Sequence, residues 1–221
     1  MTLPFSQTAD LRPLFEPAGV VVAGASSHPG KFGFAVLHNI ITCGYQGRVF
    51  ATNRNGGELL GIECLTSVAE VPAGQADLVY VCVPAAAVAQ VLREAASVGI
   101  RAAFIASSGF GEGQDEQGAA HGLELATLAS ELGMVIAGPN GQGLVSTPVS
   151  LCAQFVGPFP PAGGVSIVSQ SGNLASGAMN YATASGVGVA RAISAGNATC
   201  LGVDDYIAWL ADDPATTTIL A

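Results

Sequence analysis

Short runs of apolar, often β-branched residues alternate along the chain with segments whose apolar residues recur at helical spacing. In the first two thirds these runs predict five strands, at Gly19–Ala23, Arg48–Thr52, Asp77–Val83, Ala102–Ser107 and Met134–Ala137. Three helical segments lie between them and end at Gly44, Gly99 and Gly133. Several of the strands are apolar almost throughout, as strands covered on both faces should be. The alternation predicts a Rossmann-like parallel α/β sheet whose strands all end at one edge.

The pattern breaks at the sequence FVGPFPPAGG, residues 155–164, because proline cannot continue a helix or a central strand. It resumes as strand, helix, strand, helix and strand, at Val165–Ser169, Asn173–Ser185, Val187–Ser194, Val203–Ala211 and Thr217–Ala221. Only three strands fit in this second part. We therefore predict a first domain over residues 1–155, a linker over 156–164 and a partial second α/β domain over 165–221.

The net charge of the chain limits which macromolecules it can bind. The 221 residues include seven basic and sixteen acidic ones, a formal net charge of −9. Without a basic stripe, nucleic acid and anionic membrane surfaces are poor partners. No apolar run approaches the roughly 20 residues that span a bilayer, and the chain start lacks the charged and apolar regions of a secretory signal. The chain is therefore predicted to be soluble and cytoplasmic.

Cysteine and histidine placement argues against a metal site. The five cysteines are odd in number, form no C-x-x-C pair and lie mostly in apolar runs, which indicates reduced, buried thiols. The three histidines, His28, His38 and His121, are too scattered for a metal, and we expect them to be structural or solvent-facing. Acidic pairs at 204–205 and 212–213 frame one helix. We expect the first to favour the helix dipole and the second to add solubility.

The loop after the first predicted strand has the sequence GASSHPGKFG, residues 24–33. Its glycine amides at a helix N-terminus suit a phosphate, although a plain glycine-rich turn is the alternative interpretation. It fits neither the Walker A loop nor the G-x-G-x-x-G dinucleotide fingerprint. The second strand ends in Thr52-Asn53-Arg54, where an NAD site usually has an acidic residue. Arg54 suits a phosphate instead.

Three further strand ends carry uncommon sequences, V-P-A at 83–85, SSGFGE at 107–112 and GPNG at 138–141. Open α/β sheets bind ligands at this edge. The ordered set GAS-x-x-P-G, T-N, V-P-A, S-x-GF-x-E and GPN resembles the CoA-binding domain of NDP-forming acyl-CoA synthetases. These enzymes are relatives of the succinyl-CoA synthetase alpha subunit and of ADP-forming acetyl-CoA synthetase. SQSGNLASG, residues 169–177, resembles the start of the family's second, flavodoxin-like domain.

The resemblance implies which residues form the sites. CoA would lie across the strand ends of the first domain with its thiol toward the second, against Ser26, Pro29, Gly30, Asn53, Arg54, Pro84, Ser108, Gly109 and Asn140. Ser171 and Gly172 would hold the phosphate carried by a catalytic phosphohistidine. That histidine is expected beyond Ala221, so no catalytic residue and no metal ligand is predicted here. The family often has proline soon after the Asn53 position, whereas Arg54 follows here, which puts the local phosphate contacts in question.

The implied function is that of the CoA-binding portion of an acyl-CoA synthetase. The complete enzyme would convert an organic acid, CoA and NTP to acyl-CoA, NDP and phosphate. It would use ATP or ADP with Mg²⁺ and an ATP-grasp beta-type domain or subunit. One alternative is a non-catalytic CoA-sensing module, against which the start of a second domain argues. Another is an NAD(P)-dependent oxidoreductase, weakened by the broken glycine fingerprint and the missing acidic residue near Asn53.

Overall fold

A computed structural model describes residues 9–113, 116–157 and 159–221. The predicted first domain includes residues 1–8 and 114–115 and the predicted linker includes residue 158, all of which lie outside the described residues. No helix within the described ranges is long and apolar enough to cross a bilayer. All five cysteines are free thiols; Cys64 and Cys152 are buried and the other three are half-buried.

The first sheet has seven strands in the order β3-β4-β2-β1-β5-β6-β7. In chain order they are β1 (Gly19–Ala23), β2 (Arg48–Thr52), β3 (Glu58–Leu59), β4 (Ile62–Leu65), β5 (Leu78–Val81), β6 (Ala102–Ile105) and β7 (Val135–Ala137). All neighbouring strands are parallel except β3, which runs antiparallel to β4 at the edge. The predicted Rossmann-like sheet is confirmed. The short β3–β4 hairpin was not predicted.

Helices cover both faces of this sheet and explain why its central strands are apolar throughout. They are α1 (Arg12–Phe15), α2 (Phe32–Thr42), α3 (Ala85–Ser97) and α4 (Glu116–Leu132). Along β1, Val20 and Val22 pack in the cluster that contains α1 and α2, whereas Val21 and Ala23 pack with α3 and α4. Successive strand side chains point to opposite faces, so every position of β1 is buried. Of these helices, only the four-residue α1 was not predicted.

The second sheet has five strands in the order β12-β10-β11-β8-β9. The strands are β8 (Gly143–Ser146), β9 (Leu151–Gln154), β10 (Ala162–Ser169), β11 (Val189–Ser194) and β12 (Thr218–Leu220), with helices α5 (Gly172–Ser185) and α6 (Val203–Ala211). Strands β10, β11 and β12 are parallel, and the β8–β9 hairpin adds to β11 in the antiparallel direction. The three expected parallel strands are present, but the sheet is mixed and larger than expected.

The β8–β9 hairpin bears on the predicted domain limits. Residues 143–154 lie inside the predicted first domain, yet they pair with the second sheet. Strand β10 begins at Ala162, three residues before the expected start, so part of the predicted linker is strand. A four-residue strand gives almost no periodic signal, and its partner β11 lies more than 40 residues further along the chain. The limits at 155 and 165 stay a prediction.

Arg191 on β11 ties the two sheets together. Its side chain is 1% exposed and forms ion pairs with Glu16, at the end of α1, and with Asp213, after α6. The side chain of Asp213 is 2% exposed, so the expectation that this residue adds solubility is wrong. Burying a carboxylate costs several kcal/mol unless it is paired. Asp213 can be buried because it is paired with Arg191. The other acidic pair acts as expected, since Asp205 accepts a hydrogen bond from the Gly202 amide at the start of α6.

Candidate functional site

A groove of about 420 Å³ opens at the carboxyl ends of β1, β2 and β5. This is the edge at which parallel α/β sheets bind ligands. The groove is lined by backbone and side chains of Gly24, Ala25, Thr52, Asn53, Arg54, Thr66, Ser67, Val68, Cys82, Val83, Pro84, Ala87, Gln90, Val91 and Glu94. Three of the predicted site residues, Asn53, Arg54 and Pro84, are therefore brought together on one surface.

Two glycines let the first loop approach the sheet closely. Gly24 directly follows β1 with φ +86°, and a Cβ there would lie 2.9 Å from the carbonyl carbon of Cys82, which follows β5. Gly33, in the first turn of α2, lies so close to the end of β1 that a Cβ would sit 2.1 Å from the Gly24 oxygen. Any side chain at Gly33 would push α2 away from the sheet. The glycines thus place the N-terminus of α2 at the sheet edge, beside the groove.

Arg54 supplies the positive charge of the groove. Asn53 shapes its loop, because the Asn53 amide donates to the Leu65 carbonyl at 3.0 Å and the Asn53 side-chain oxygen accepts from the Asn55 amide at 2.8 Å. The Arg54 side chain is exposed and forms no ion pair with any described residue. An unpaired guanidinium on a fixed loop can donate two hydrogen bonds to a phosphate.

The far wall of the groove was missed by sequence reasoning. It consists of a short 3₁₀ turn at Val68–Glu70 packed beside α3, and Glu94 joins the two. One Glu94 oxygen accepts from the Ser67 hydroxyl at 2.8 Å and from the Val68 amide at 3.2 Å. The only sequence signal was the capping pattern S-x-x-E at residues 67–70. The Glu94 carboxylate shapes the wall through these contacts.

The third side of the groove is apolar. Val83 and Pro84 follow β5, and Pro84 is the N-cap residue of α3. Cys82 lies beside them, and burial raises the pKa of its thiol to about 12, so the group is uncharged at neutral pH. The groove lining therefore includes a neutral surface as well as a cationic loop. Such a lining suits a ligand with an apolar part and an anionic part.

Ser26, Pro29 and Gly30 lie on the loop between β1 and α2, outside the groove lining. His28 organises this loop: its amide donates to the Ser26 hydroxyl at 3.1 Å, and its ring Nδ1 accepts from the Gly30 amide at 3.0 Å. The Gly30 amide therefore already has a partner, which sequence reasoning did not foresee. Pro29 and Gly30 are exposed at the loop tip, at the edge where the groove opens.

Ser108, Gly109 and Asn140 form a second group, at the ends of β6 and β7 nearest the second sheet. The Gly109 amide donates to the Glu112 carboxylate at 2.9 Å. The Asn140 side-chain amide donates to the Asn197 side-chain oxygen at 3.3 Å, across the boundary between the sheets. Both Glu112 and Asn197 were missed as site residues, although Glu112 belongs to the S-x-GF-x-E pattern.

Ser171 and Gly172 start the 14-residue helix α5. Ser171 is exposed, its hydroxyl accepts from the Leu174 amide at 3.4 Å, and its amide donates to the Ser169 hydroxyl at 3.2 Å. Ser171 is thus an N-cap residue whose own amide is occupied. The Gln142 side chain packs on Gly172, where a Cβ would lie 2.2 Å from the Gln142 side-chain carboxamide carbon. Within the described residues, no cluster of three or more His, Cys, Asp and Glu side chains could hold a metal ion.

Two parts of the chain match known domain families. Residues 19–147 match the model of the CoA binding domain, and residues 162–221 match that of the succinyl-CoA ligase like flavodoxin domain. The chain belongs to the CoA-binding domain family. The resemblance found in its strand-end motifs is therefore confirmed, as is the start of a flavodoxin-like second domain.

Curated relatives of this chain include CoA ligases and a CoA synthase. The alpha subunit of acetate–CoA ligase (ADP-forming) I from Pyrococcus furiosus is 36% identical over 95% of this chain and 46% of the relative. A trans-feruloyl-CoA synthase from an unknown prokaryotic organism is 37% identical over 93% of this chain and 30% of its own length. In structure, the chain matches an acetyl-coenzyme A synthetase of Ca. Korarchaeum cryptofilum with a TM-score of 0.88 and 34% identity, over 95% of this chain and 44% of that one. The chain thus spans less than half the length of these relatives.

The CoA-binding domain therefore presents its predicted residues in three places along one edge. Asn53, Arg54 and Pro84 line the groove, Ser26, Pro29 and Gly30 lie on the loop beside it, and Ser108, Gly109 and Asn140 lie toward the second sheet. Ser171 and Gly172 belong to the flavodoxin-like part. Contact of these residues with a ligand stays a prediction.

Proposed function

We propose that this chain binds CoA along the carboxyl edge of its first sheet and forms the CoA-binding portion of an NDP-forming acyl-CoA synthetase. The observation that carries the proposal is a groove whose lining combines Arg54, which forms no ion pair with a described residue, with the apolar Val83 and Pro84. Its volume of about 420 Å³ falls within the range of roughly 300–1,000 Å³ typical of ligand sites. CoA carries anionic phosphates, and its adenine ring and the dimethyl group of its pantetheine arm supply apolar surface, so it has groups for both kinds of lining.

The order of the strands gives the ligand a direction. Arg54 follows β2, whereas Ser108 and Asn140 follow β6 and β7 on the other side of β1 in the strand order. There Asn140 contacts Asn197, in the loop after β11 of the second sheet. We assign the adenosine 3′-phosphate to Arg54 and the thiol end of the pantetheine arm to the Ser108 and Asn140 side. The thiol would then point toward α5, where we place the anion site of Ser171 and Gly172.

The complete enzyme requires groups that we do not assign to this chain. Transfer of a phosphoryl group from NTP needs a nucleotide site with Mg²⁺ and a nucleophilic histidine. His28 lies in the loop before α2, His38 in α2 and His121 in α4, so all three belong to the first domain. We therefore propose that an ATP-grasp domain or subunit and further flavodoxin-like sequence supply these parts. Acetate, feruloyl and 4-hydroxybutyrate groups appear in the names of relatives, so the acid is not assigned.

Calorimetric titration tests the CoA site. Changing Arg54 to Ala should weaken CoA by about tenfold or more, because a hydrogen bond to a charged group contributes roughly 1.5–3 kcal/mol. Dephospho-CoA, which lacks the 3′-phosphate, should bind the wild type and Arg54→Ala almost equally. Arg48→Ala is the matched control, since Arg48 is an exposed arginine at the opposite end of the same strand.

Each outcome of the titration separates one assignment from another. An equal loss for CoA and dephospho-CoA would show that Arg54 does not hold the 3′-phosphate. Equal losses of CoA affinity in Arg54→Ala and Arg48→Ala would show that net charge, and not a specific contact of Arg54, causes the loss. Absence of CoA binding by the wild type, or tighter binding of NAD or NADP, would contradict the proposed function itself.

A further inference from the structure

Asn197 joins three loops that come from both sheets. It lies in the loop between β11 and α6, and its backbone amide donates to the Pro139 carbonyl at 2.9 Å. Its side-chain amide donates to Glu112 at 2.7 Å, and its side-chain oxygen accepts from Asn140 at 3.3 Å. Asn197 thus uses three polar groups to connect the second sheet to the loops after β6 and β7.

Glu112 transmits this contact to the loop after β6. One carboxylate oxygen accepts from the amides of Gly109 and Phe110, at 2.9 and 2.8 Å, and the other accepts from Asn197. Burial opposes ionisation, but these donors outweigh it and the pKa of the Glu112 carboxyl is lowered. The carboxylate is therefore charged at neutral pH and holds both amides in charge-assisted hydrogen bonds.

The loop needs such a restraint because its backbone is permissive. Gly109 and Gly111 both have positive φ, +100° and +105°, a region that glycine enters without steric cost. Glu112 is itself exposed, so without Asn197 its side chain has freedom to turn into water. Each such turn would release the Gly109 and Phe110 amides. The loop also has contacts within the first domain, such as His121 Nδ1 with the Gly109 carbonyl at 3.1 Å. The contact from the second sheet adds the restraint that holds the Gly109 and Phe110 amides.

We propose that Asn197, acting through Glu112, is a positioning residue that holds the 107–110 loop in the shape that receives the thiol end of CoA. The inference rests on the proposed function, because it takes Ser108 and Gly109 as part of the CoA site. It adds that contact of the flavodoxin-like part with the CoA-binding domain affects the affinity for CoA. Asn197 itself lies in the loop after β11 of the second sheet and need not touch the ligand.

The test compares two ligands on the same variants by calorimetric titration. Asn197→Ala should weaken CoA by about three- to tenfold, the size expected for one or two lost hydrogen bonds. It should leave adenosine 3′,5′-bisphosphate, which lacks the pantetheine arm, within about twofold of the wild type. Asn180→Ala is the matched control, because Asn180 is an exposed asparagine on α5 and lies outside this network. Arg54→Ala should instead weaken both ligands, because both carry the 3′-phosphate.

Glu112→Gln is a second variant that tests the same contact if Asn197→Ala does not fold. Gln retains one acceptor oxygen for the two amides but loses the charge, so CoA should weaken less than in Glu112→Ala. Equal weakening of CoA and adenosine 3′,5′-bisphosphate in either variant would mean a general structural effect and would overturn the inference. Unchanged CoA affinity in both variants would overturn it as well. If the wild type binds no CoA, the proposed function fails first.

Discussion

Arg191 offers the sharpest test of how the two sheets are held together. Its guanidinium is 1% exposed and contacts groups from α1, β8 and the α6–β12 loop, namely Glu16, the Phe15 carbonyl, Ser146 and Asp213. Changing Arg191 to Met keeps much of the side chain's volume and removes its charge and all of its donors. The variant therefore leaves two carboxylates without their cation.

The magnitude follows from how each carboxylate is buried. Removing one partner of a buried ion pair costs about 3–5 kcal/mol, because the remaining charge is stranded. The Glu16 side chain is 40% exposed and can be hydrated, whereas that of Asp213 is 2% exposed and cannot. Asp213 keeps a 2.7 Å hydrogen bond from the Thr216 hydroxyl. We expect a loss near the lower end, about 3 kcal/mol, which lowers Tm by roughly 6–12 °C for a chain of this size.

The single tryptophan of the chain makes the assay direct. The Trp209 ring stacks on Phe15 with centroids 5.3 Å apart and lies 5.9 Å from the Arg191 guanidinium carbon. Urea unfolding followed by Trp209 fluorescence and by far-UV circular dichroism should give coincident curves, which permits a two-state free energy of unfolding. Arg93→Met is the matched control. Its 4.0 Å pair with Glu124 is exposed and should contribute less than about 1 kcal/mol.

Two results would refute the reasoning. The first is an equal free energy of unfolding for Arg191→Met and Arg93→Met, which would mean that the buried network contributes no net stability. The second is that adding Asp213→Asn to Arg191→Met recovers no stability. In that case the stranded carboxylate is not the cause of the loss, because its neutralisation should relieve most of the penalty.

Acid pH provides a second readout of the same pair. Burial alone would raise the pKa of Asp213, but hydrogen bonds from Arg191 and Thr216 outweigh it and hold the pKa below the ordinary value of 3.8. The stabilisation is therefore present above pH 3.8 and is lost as the pH falls through the lower folded value. In Arg191→Met the stranded carboxyl instead gains stability when protonated. The difference in unfolding free energy between the two proteins should shrink as the pH is lowered from about 7 to about 4.

Two further predictions concern the first loop and catalysis. Gly33→Ala should cost about 1–3 kcal/mol and weaken CoA, because its Cβ would lie 2.1 Å from the Gly24 oxygen. Gly177→Ala is the matched control, because its Cβ meets no atom within 4 Å and should not destabilise the chain. Equal urea midpoints for Gly33→Ala and Gly177→Ala would contradict the packing argument. The chain alone, incubated with ATP, acetate and CoA, should form no acyl-CoA, and turnover or phosphate incorporation at one of its histidines would overturn the proposed division of labour.

The strand-end motifs were accessible from the sequence because each depends on local chemistry. Glycine at the ends of α2, α3 and α4 and apolar runs in β1, β5 and β6 reflect backbone conformation and burial within a few residues. The rule that parallel strands end at one edge then predicts that Asn53, Arg54 and Pro84 lie near one another, and all three line the groove.

The remaining parts of the site depend on contacts between distant segments. Ser67 meets Glu94 across 27 residues, and Glu112 meets Asn197 across 85. Neither pair gives a periodic pattern in the sequence. The sequence of a loop does not distinguish a polar residue that faces water from one that contacts a distant segment.

The sequence by itself determined the parallel α/β sheet, the order of its motifs and the family to which they belong, because those features are encoded by local periodicity, glycine positions and strand-end residues. Tertiary structure alone decided that residues 143–154 join the second sheet, that Asp213 is a buried partner of Arg191 and that Asn197 reaches the loop after β6. The physical reason is the same in each case. The free energy of these contacts comes from burial and hydrogen bonding between segments that only the folded chain brings together.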